Sequence, residues 1–120
     1  MTPELIELAK RLVAATGLEV PALMDNAMWD HGRGRCFEDG TCWVKVDDTN
    51  GPEAWVPDLT DDATGGALLG LLGAGWTVRT CRDSAGIEYV SLRRQARMSP
   101  TFAGPALAAA CASALLEDHT

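Results

Sequence analysis

The side chains best suited to nucleophilic or acid–base chemistry in this chain are two histidines and four cysteines. His31 begins a predicted loop, His31–Arg35, which is rich in glycine, and the other histidine is the penultimate residue, where chain termini fray. An enzyme needs a nucleophile, a base or a metal in a convergent arrangement. One hypothesis is therefore a small enzyme that uses His31 with Cys36 or with a carboxylate. These residues match no catalytic motif, however, and we expect the chain to have no catalytic residue.

The cysteines predict structural thiols rather than a metal site. Cys36 and Cys42 are farther apart than the short cysteine pairs of zinc sites, and no second pair accompanies them. Cys81 and Cys111 occur in alternating or apolar segments, where cysteine behaves as a small hydrophobe. The amino-terminal sequence does not have the basic and apolar regions of a secretory signal, so we expect a cytoplasmic protein. Free thiols are then the expected form of all the cysteines.

Paired carboxylates and clustered glycines are the other features that could indicate chemistry. Asp47 and Asp48 have the composition of a turn, and Asp61 and Asp62 are placed where a helix begins. The glycines between positions 65 and 75 lack the lysine and the hydroxyl residue of a phosphate-binding loop. We therefore expect no cofactor and no metal, and a function that depends on binding rather than catalysis.

Charge is distributed unevenly along the chain, whose formal net charge is −7. The segment from Glu38 to Asp62 has eight acidic residues and only one base, Lys45, whereas arginines predominate from Arg79 to Arg97. An acidic excess argues against direct nucleic-acid binding, which needs basic surface to neutralise phosphates. The acidic segment could bind a basic partner, or it could simply be a solvated surface that keeps the protein in solution.

A partner-binding surface is predicted on this acidic segment. Trp43 shares a predicted strand face with Lys45, and we expect it to be an exposed aromatic anchor. The predicted partner-binding residues are Trp43, Asp47, Asp48, Glu53, Asp58, Asp61 and Asp62.

Two uncharged stretches, Ala63–Trp76 and Met98–Leu116, predict helices that are buried on several sides or lie at an interface. Neither has the unbroken apolar length of a membrane span, so no membrane partner is expected. In the first stretch, Gly66, Gly70 and Gly73 fall opposite the leucines, and such a strip permits close backbone approach. We expect a homodimer through this glycine strip or through the alanine-rich last helix. The alternative is that the helix starts late and its first glycines lie in an irregular turn.

Hydrophobic periodicity and turn signals predict an α+β fold in a single domain spanning residues 1–120. The expected order is α-β-β-α-β-β-α, with about four strands in one antiparallel sheet and helices on one face. The predicted elements are a first helix capped by Thr2 and stopped at Gly17, strands at Thr41–Val46 and Glu53–Val56, a helix capped by Thr60, a hairpin of Trp76–Asp83 and Ile87–Leu92, and a helix from near Pro105.

Three segments resemble a loose group of small proteins encoded by tailed bacteriophages and prophages. They are Pro57–Leu72 followed by Trp76, the ending Pro105–Ala112, and the Ala-Ala-Thr-Gly sequence at Ala14–Gly17. The resemblance implies phage origin and a cytoplasmic location in a bacterial host, and it carries over no catalytic residue. Many short phage proteins bind and block host proteins, so we expect an inhibitor of a host defence or regulatory protein. The alternative is a virion-associated or structural protein.

Overall fold

The computed structural model describes residues 1–20, 34–36, 41–46, 54–95 and 101–118, with residues 34–36 described by their backbone alone. Within these ranges the chain forms three helices and six strands. In chain order they are α1 (Pro3–Thr16), β1 (Gly34–Cys36), β2 (Cys42–Lys45), β3 (Trp55–Pro57), α2 (Asp62–Leu72), β4 (Trp76–Arg82), β5 (Glu88–Arg94), β6 (Phe102–Gly104) and α3 (Leu107–Asp118).

The strands form two separate antiparallel sheets, in the orders β1-β2-β3 and β4-β5-β6. The α+β class and the order α-β-β-α-β-β-α are confirmed, but the predicted single sheet of about four strands is split. Each sheet joins only strands that are neighbours in the sequence, and α2 separates the two groups. The sheets also gain the short strands β1 and β6. Gly34 and Arg35, which were predicted to lie in a loop, belong to β1.

Helix α1 has the boundaries that its local sequence signals predict. The Thr2 side chain accepts a hydrogen bond from the Leu5 amide at 3.3 Å, and Pro3 occupies the first turn. Gly17 ends the helix at φ 71°, a left-handed conformation that favours glycine. The buried residues of this helix are Leu5, Ala9 and Leu12.

Helix α3 is the centre of the core. Its buried residues include Ala108–Ala112, and it packs against α1, α2, β5 and β6. Small side chains let these neighbours come close: a Cβ atom added at Gly104 of β6 would lie 2.8 Å from Ala109 Cβ and 2.9 Å from the Ala110 nitrogen. The helix is apolar all round because this chain encloses it. The prediction that its alanine-rich surface serves self-association is therefore wrong.

The start of α2 is fixed by Asp61 rather than by the predicted cap Thr60. The Asp61 carboxylate accepts hydrogen bonds from the Thr64 amide at 2.8 Å and from its hydroxyl at 3.0 Å. Thr60 instead donates its amide and hydroxyl to the Asp58 carboxylate. Because Asp58 accepts these hydrogen bonds, Thr60 belongs to a turn, and Asp61 is the residue that caps the helix.

Thr64 also links α2 to the first sheet. Its fully buried hydroxyl accepts a hydrogen bond from the Cys42 amide at 2.8 Å and lies 3.2 Å from the Cys42 carbonyl oxygen. Cys42 is the first residue of β2, so the Thr64 side chain satisfies backbone groups at the start of this strand. Thr64 also belongs to the first turn of α2, which Asp61 caps. The start of α2 and the β1-β2-β3 sheet are thereby held together by hydrogen bonds as well as by packing.

Candidate functional site

Trp43, the predicted aromatic anchor, is buried. Its side chain is only 2% exposed, and it packs in a cluster with Ala54 and Trp55 against partly buried residues near the end of α1. The indole Nε1 donates a hydrogen bond to the Thr41 hydroxyl at 3.0 Å. The prediction of an exposed anchor is wrong because the strand face that Trp43 shares with Lys45 packs on the chain itself.

The predicted acidic surface is only partly described. Asp58 and Asp61 are both engaged in local hydrogen bonds, in the turn before α2 and in the helix cap. Asp62 is exposed in the first turn of α2, where its charge favours the helix dipole. Asp47, Asp48 and Glu53 lie outside the described residues. The described carboxylates of this set therefore have structural roles, and their use by a partner stays a prediction.

The close backbone contact of α2 is made at Gly65, not at the predicted strip. A Cβ atom at Gly65 would lie 3.0 Å from the Ala108 nitrogen and 3.1 Å from Leu107 Cβ, both in α3. A Cβ atom at Gly66 or Gly70 would meet nothing within 4 Å, and both residues are exposed. Gly73 ends the helix at φ 85°. The alternative of a late helix start is wrong, because α2 begins at Asp62 and includes Gly65 and Gly66. Use of Gly66, Gly70 and Gly73 in self-association stays a prediction.

The exposed position of Gly70 on α2 leads to a prediction about the free energy of unfolding. Replacing Gly70 with alanine should raise the free energy of unfolding by about 1 kcal/mol, because alanine is the better helix former and its methyl group has open space. Urea unfolding of the isolated protein measures this difference. A lower stability for Gly70→Ala would contradict the open surroundings of Gly70.

The cysteines are not all free thiols. Cys42 takes part in a disulfide, so the prediction of a free thiol at this position is wrong. The backbone of Cys36 in β1 lies directly opposite that of Cys42 in β2. Cys81 and Cys111 are free. Burial raises the pKa of the Cys111 thiol to about 11, which keeps it protonated and unreactive near neutral pH.

The enzyme hypothesis concerns residues beyond the described set. His31 and the side chain of Cys36 lie outside it. In the parts of the chain that the structure describes, no group of three or more histidine, cysteine or acidic side chains is arranged to hold a metal ion.

The second sheet, β4-β5-β6, has one covered face and one open face. Leu92 points to the covered face, where it is fully buried near α3. The register and the alternation of side chains place the next residues on the opposite side of the sheet. We call this side the open face; its members on β4 and β5 are Thr77, Arg79, Cys81, Tyr89, Ser91 and Arg93. Thr77, Arg79 and Arg93 are exposed, Cys81 and Tyr89 are half-buried, and Ser91, on the central strand, is buried.

Two arginines on the open face pair with none of the acidic side chains that the structure describes. Arg79 lies opposite Ser91 and Arg93 lies opposite Thr77, so the two arginines are diagonal neighbours on adjacent strands. Both are exposed, and neither forms an ion pair with a described side chain. The remaining arginines of the sheet are neutralised: Arg82 pairs with Glu88 at 3.0 Å, and Arg94 pairs with Asp118 at 2.6 Å. Positive charge is thus concentrated on the open face.

A half-buried polar group borders these arginines. Cys81 lies opposite Tyr89 in the register, and its sulfur is 3.9 Å from the Ser91 hydroxyl. The adjacent Cys81, through its charge when ionised and through a hydrogen bond, raises the pKa of Tyr89 above its ordinary value. At neutral pH the phenol is protonated even at its ordinary pKa, so it has a hydroxyl proton to donate. The open face can donate several hydrogen bonds and attract negative charge.

The outer edge of β4 adds backbone groups that pair with no described strand. The Gln95 amide donates to the Gly75 carbonyl at 2.8 Å, and the Asp83 amide donates to the Ile87 carbonyl at 3.0 Å. These two bonds join odd-numbered residues that lie opposite each other just beyond the two ends of the β4–β5 ladder. Hydrogen-bonded pairs recur at every second residue of an antiparallel ladder, so the odd-numbered residues of β4 exchange hydrogen bonds with β5. The amides and carbonyls of Trp76, Val78, Thr80 and Arg82 point away from the sheet.

Comparison of the chain with family models, with curated proteins and with solved structures finds no match. The resemblance to phage proteins therefore stays a prediction. None of the helices in the described ranges has the length and apolar character needed to cross a membrane.

The open face was not among the predicted sites, although the sequence contains its signal. Arginines predominate between positions 79 and 97, but binding was predicted for the acidic segment instead. Combining the predicted hairpin with strand alternation would have placed Arg79 and Arg93 on one face. Only the fold shows which of the two faces α3 covers.

Proposed function

We propose that this chain is a non-enzymatic binding protein that acts by protein–protein contact through the open face of the second sheet. The observation that carries the proposal is the pair of exposed, unneutralised arginines, Arg79 and Arg93, beside Tyr89 in a chain of net charge −7. A local reversal of charge on an open sheet face favours one acidic partner surface over the general protein surface.

The residue types on the open face suit protein contact. Arginine and tyrosine are enriched in the energetically important parts of interfaces, because they combine large contact area with directional hydrogen bonds. Both lie on strands of a three-stranded sheet whose other face is anchored to the core. Little backbone entropy would be lost on binding, because the strands that position these side chains are already ordered.

The non-enzymatic part of the proposal is supported by the roles of the described carboxylates. Asp61 caps a helix, Asp58 and Asp83 accept hydrogen bonds within turns, and Asp118 pairs with Arg94. Each of these groups has a structural function that accounts for its position.

The resemblance to phage proteins makes the proposal more specific. It suggests that the partner is a host defence or regulatory protein and that the chain acts in the bacterial cytoplasm, a location in which a disulfide such as that of Cys42 is uncommon. The alternative proposal is a virion-associated protein. The two differ in location, since an inhibitor would occur free in infected cells and a structural protein in purified particles.

Self-association remains a second proposal, supported by the outer surface of α2. Gly66 and Gly70 are exposed there, and the neighbouring Leu71 is 57% exposed. A smooth, uncharged helix face with one protruding leucine is suited to a second copy of the same face. Replacing Gly70 with leucine should reduce a dimer, if one forms, without a clash inside the chain.

Charge reversal separates the open face from the acidic segment as the contact surface. The test compares the proteins that three immobilised forms of the chain retain from a bacterial lysate. The forms are the wild-type chain, the double variant Arg79→Glu/Arg93→Glu and the control variant Asp62→Lys. We expect wild-type and Asp62→Lys to retain the same protein and the double variant to lose it. Loss with Asp62→Lys alone would assign binding to the acidic segment instead. Retention of no protein above a bead control would contradict the binding function itself.

A further inference from the structure

We propose that the free edge of β4 binds an extended, acidic peptide segment of a partner protein, which adds to the second sheet as a fourth strand. The inference rests on the proposed function and deepens it, because it names the part of the partner that the open face receives. It is argued from three features of β4: its outward hydrogen-bonding groups, its exposure and its charge.

The edge of β4 is equipped for strand addition. The amides and carbonyls of Trp76, Val78, Thr80 and Arg82 point away from β5, and β4 is the outer strand of its sheet. An incoming strand could hydrogen-bond to these groups at the spacing of an ordinary ladder. Main-chain bonds of this kind give affinity without demanding a particular side chain at every position.

Apart from the charges of Arg79 and Arg82, the edge lacks the usual means of blocking such addition in the described part of the chain. β4 has seven residues, contains no proline, and keeps an unbroken register with β5 along its length. The four residues from Thr77 to Thr80 are exposed, and Val78 has 41% of its surface in solvent. Natural edges are commonly kept short, interrupted by a bulge or covered by another element. Long, regular and exposed edges are the ones to which extended peptides add.

Charge identifies the occupant as acidic. Arg79 lies at the middle of β4 on the open face, and Arg93 is its diagonal neighbour one strand further in. A strand added at the edge would place alternate side chains beside Arg79, where a carboxylate is favoured. The intervening side chains would lie beside Val78 and Thr80, where apolar or β-branched residues fit. The expected ligand therefore alternates acidic and apolar residues.

The same charges disfavour the other occupants. Pairing of two β4 edges would bring two basic strands within a Debye length of each other, and like charges across a strand pair are destabilising. A single-stranded nucleic acid would meet Arg79 and Arg93, but it has no peptide backbone to hydrogen-bond to the edge, and a net charge of −7 repels it at long range. An acidic extended peptide satisfies both the charge and the backbone groups.

The test uses synthetic peptides as long as β4 and the full-length chain. The probe is a terminally capped peptide of alternating glutamate and valine, and its binding is measured by calorimetry. One control peptide replaces glutamate with lysine. A second keeps the glutamates but carries an N-methyl group on every backbone amide, so that it cannot donate hydrogen bonds to a ladder in either strand orientation. We expect the probe to bind and both controls to bind at least about tenfold more weakly.

Two protein variants locate the bound peptide. Arg79→Glu should weaken binding about tenfold, because an attractive pair becomes a repulsive one. Thr80→Pro should abolish binding while the fold is retained, because it removes an amide that points away from β5. If Thr80→Pro does not fold, the N-methylated peptide provides the same test on the wild-type chain.

Each outcome decides the inference. Equal binding of the N-methylated peptide, with loss in Arg79→Glu, would overturn strand addition while leaving the open face as a charged contact surface. Absence of probe binding would overturn the inference, whereas the proposed function is judged separately by capture from the lysate. A dimer of the unliganded chain that Thr80→Pro dissociates would assign the edge to a second copy. Tighter binding of a single-stranded oligonucleotide, in competition with the probe, would assign the surface to nucleic acid.

Discussion

Replacing Gly104 with alanine is expected to lower the free energy of unfolding by about 1–3 kcal/mol, the usual cost of overpacking a core. The added Cβ would lie 2.8 Å from Ala109 Cβ and 2.9 Å from the Ala110 nitrogen. One of these neighbours is a helix backbone atom, so relief requires β6 to move away from α3. Because α3 also packs against α1 and α2, the loss should appear as a lower urea midpoint for the whole cooperative transition.

Gly70→Ala is the matched control for this prediction. It makes the same chemical change in an exposed helix position, where a Cβ meets no atom within 4 Å. The two variants should therefore move stability in opposite directions. Equal stability of Gly104→Ala and wild-type would contradict the close approach of β6 and α3, and with it the central position of α3 in the core.

The second large effect is expected for Thr64→Val. Valine keeps the shape of threonine but removes the buried hydroxyl, which accepts the Cys42 amide at 2.8 Å. A buried amide left without an acceptor costs about 1–3 kcal/mol, so chemical unfolding should show a loss of that size. The Asp61 carboxylate would still accept the amide of residue 64, so the helix cap should survive.

Thr60→Val is the control, because it removes an exposed hydroxyl that bonds only to the adjacent Asp58. Its effect should stay within about 0.5 kcal/mol, as is usual for surface substitutions. If Thr64→Val and Thr60→Val cost the same, the hydrogen bonds between α2 and the first sheet do not contribute to stability as we propose.

The parts of the fold that could be predicted are those fixed by local signals. Thr2 caps α1 and Gly17 stops it, as expected, because capping chemistry involves residues within one helical turn. The β4–β5 hairpin also lies where alternation and turn residues placed it. The cap of α2 was displaced by one residue, since Asp58 captures Thr60 and only the turn geometry decides between neighbouring caps.

The division into two sheets could not be predicted, because strand periodicity indicates strands but not which strands pair. The strands β1 and β6 have three residues each, too few to show a period. The same limit applies to the site. Alternation placed Trp43 and Lys45 on one strand face, but whether that face is buried depends on what packs there. Gly65 and Gly66 are adjacent in sequence, but only the position of α3 shows that Gly65 packs against that helix and that Gly66 is exposed.

Amide hydrogen exchange along β4 tests the central claim most directly, because it reports each edge group separately. In the free protein, the amides of Val78 and Thr80 should exchange rapidly, while those of Thr77, Arg79 and Cys81 are protected by β5. Saturation with the glutamate–valine peptide should slow Val78 and Thr80 and leave the odd-numbered amides as they were. Slow exchange of Val78 and Thr80 in the free monomer, or no change on adding the peptide, would contradict a free edge that receives a fourth strand.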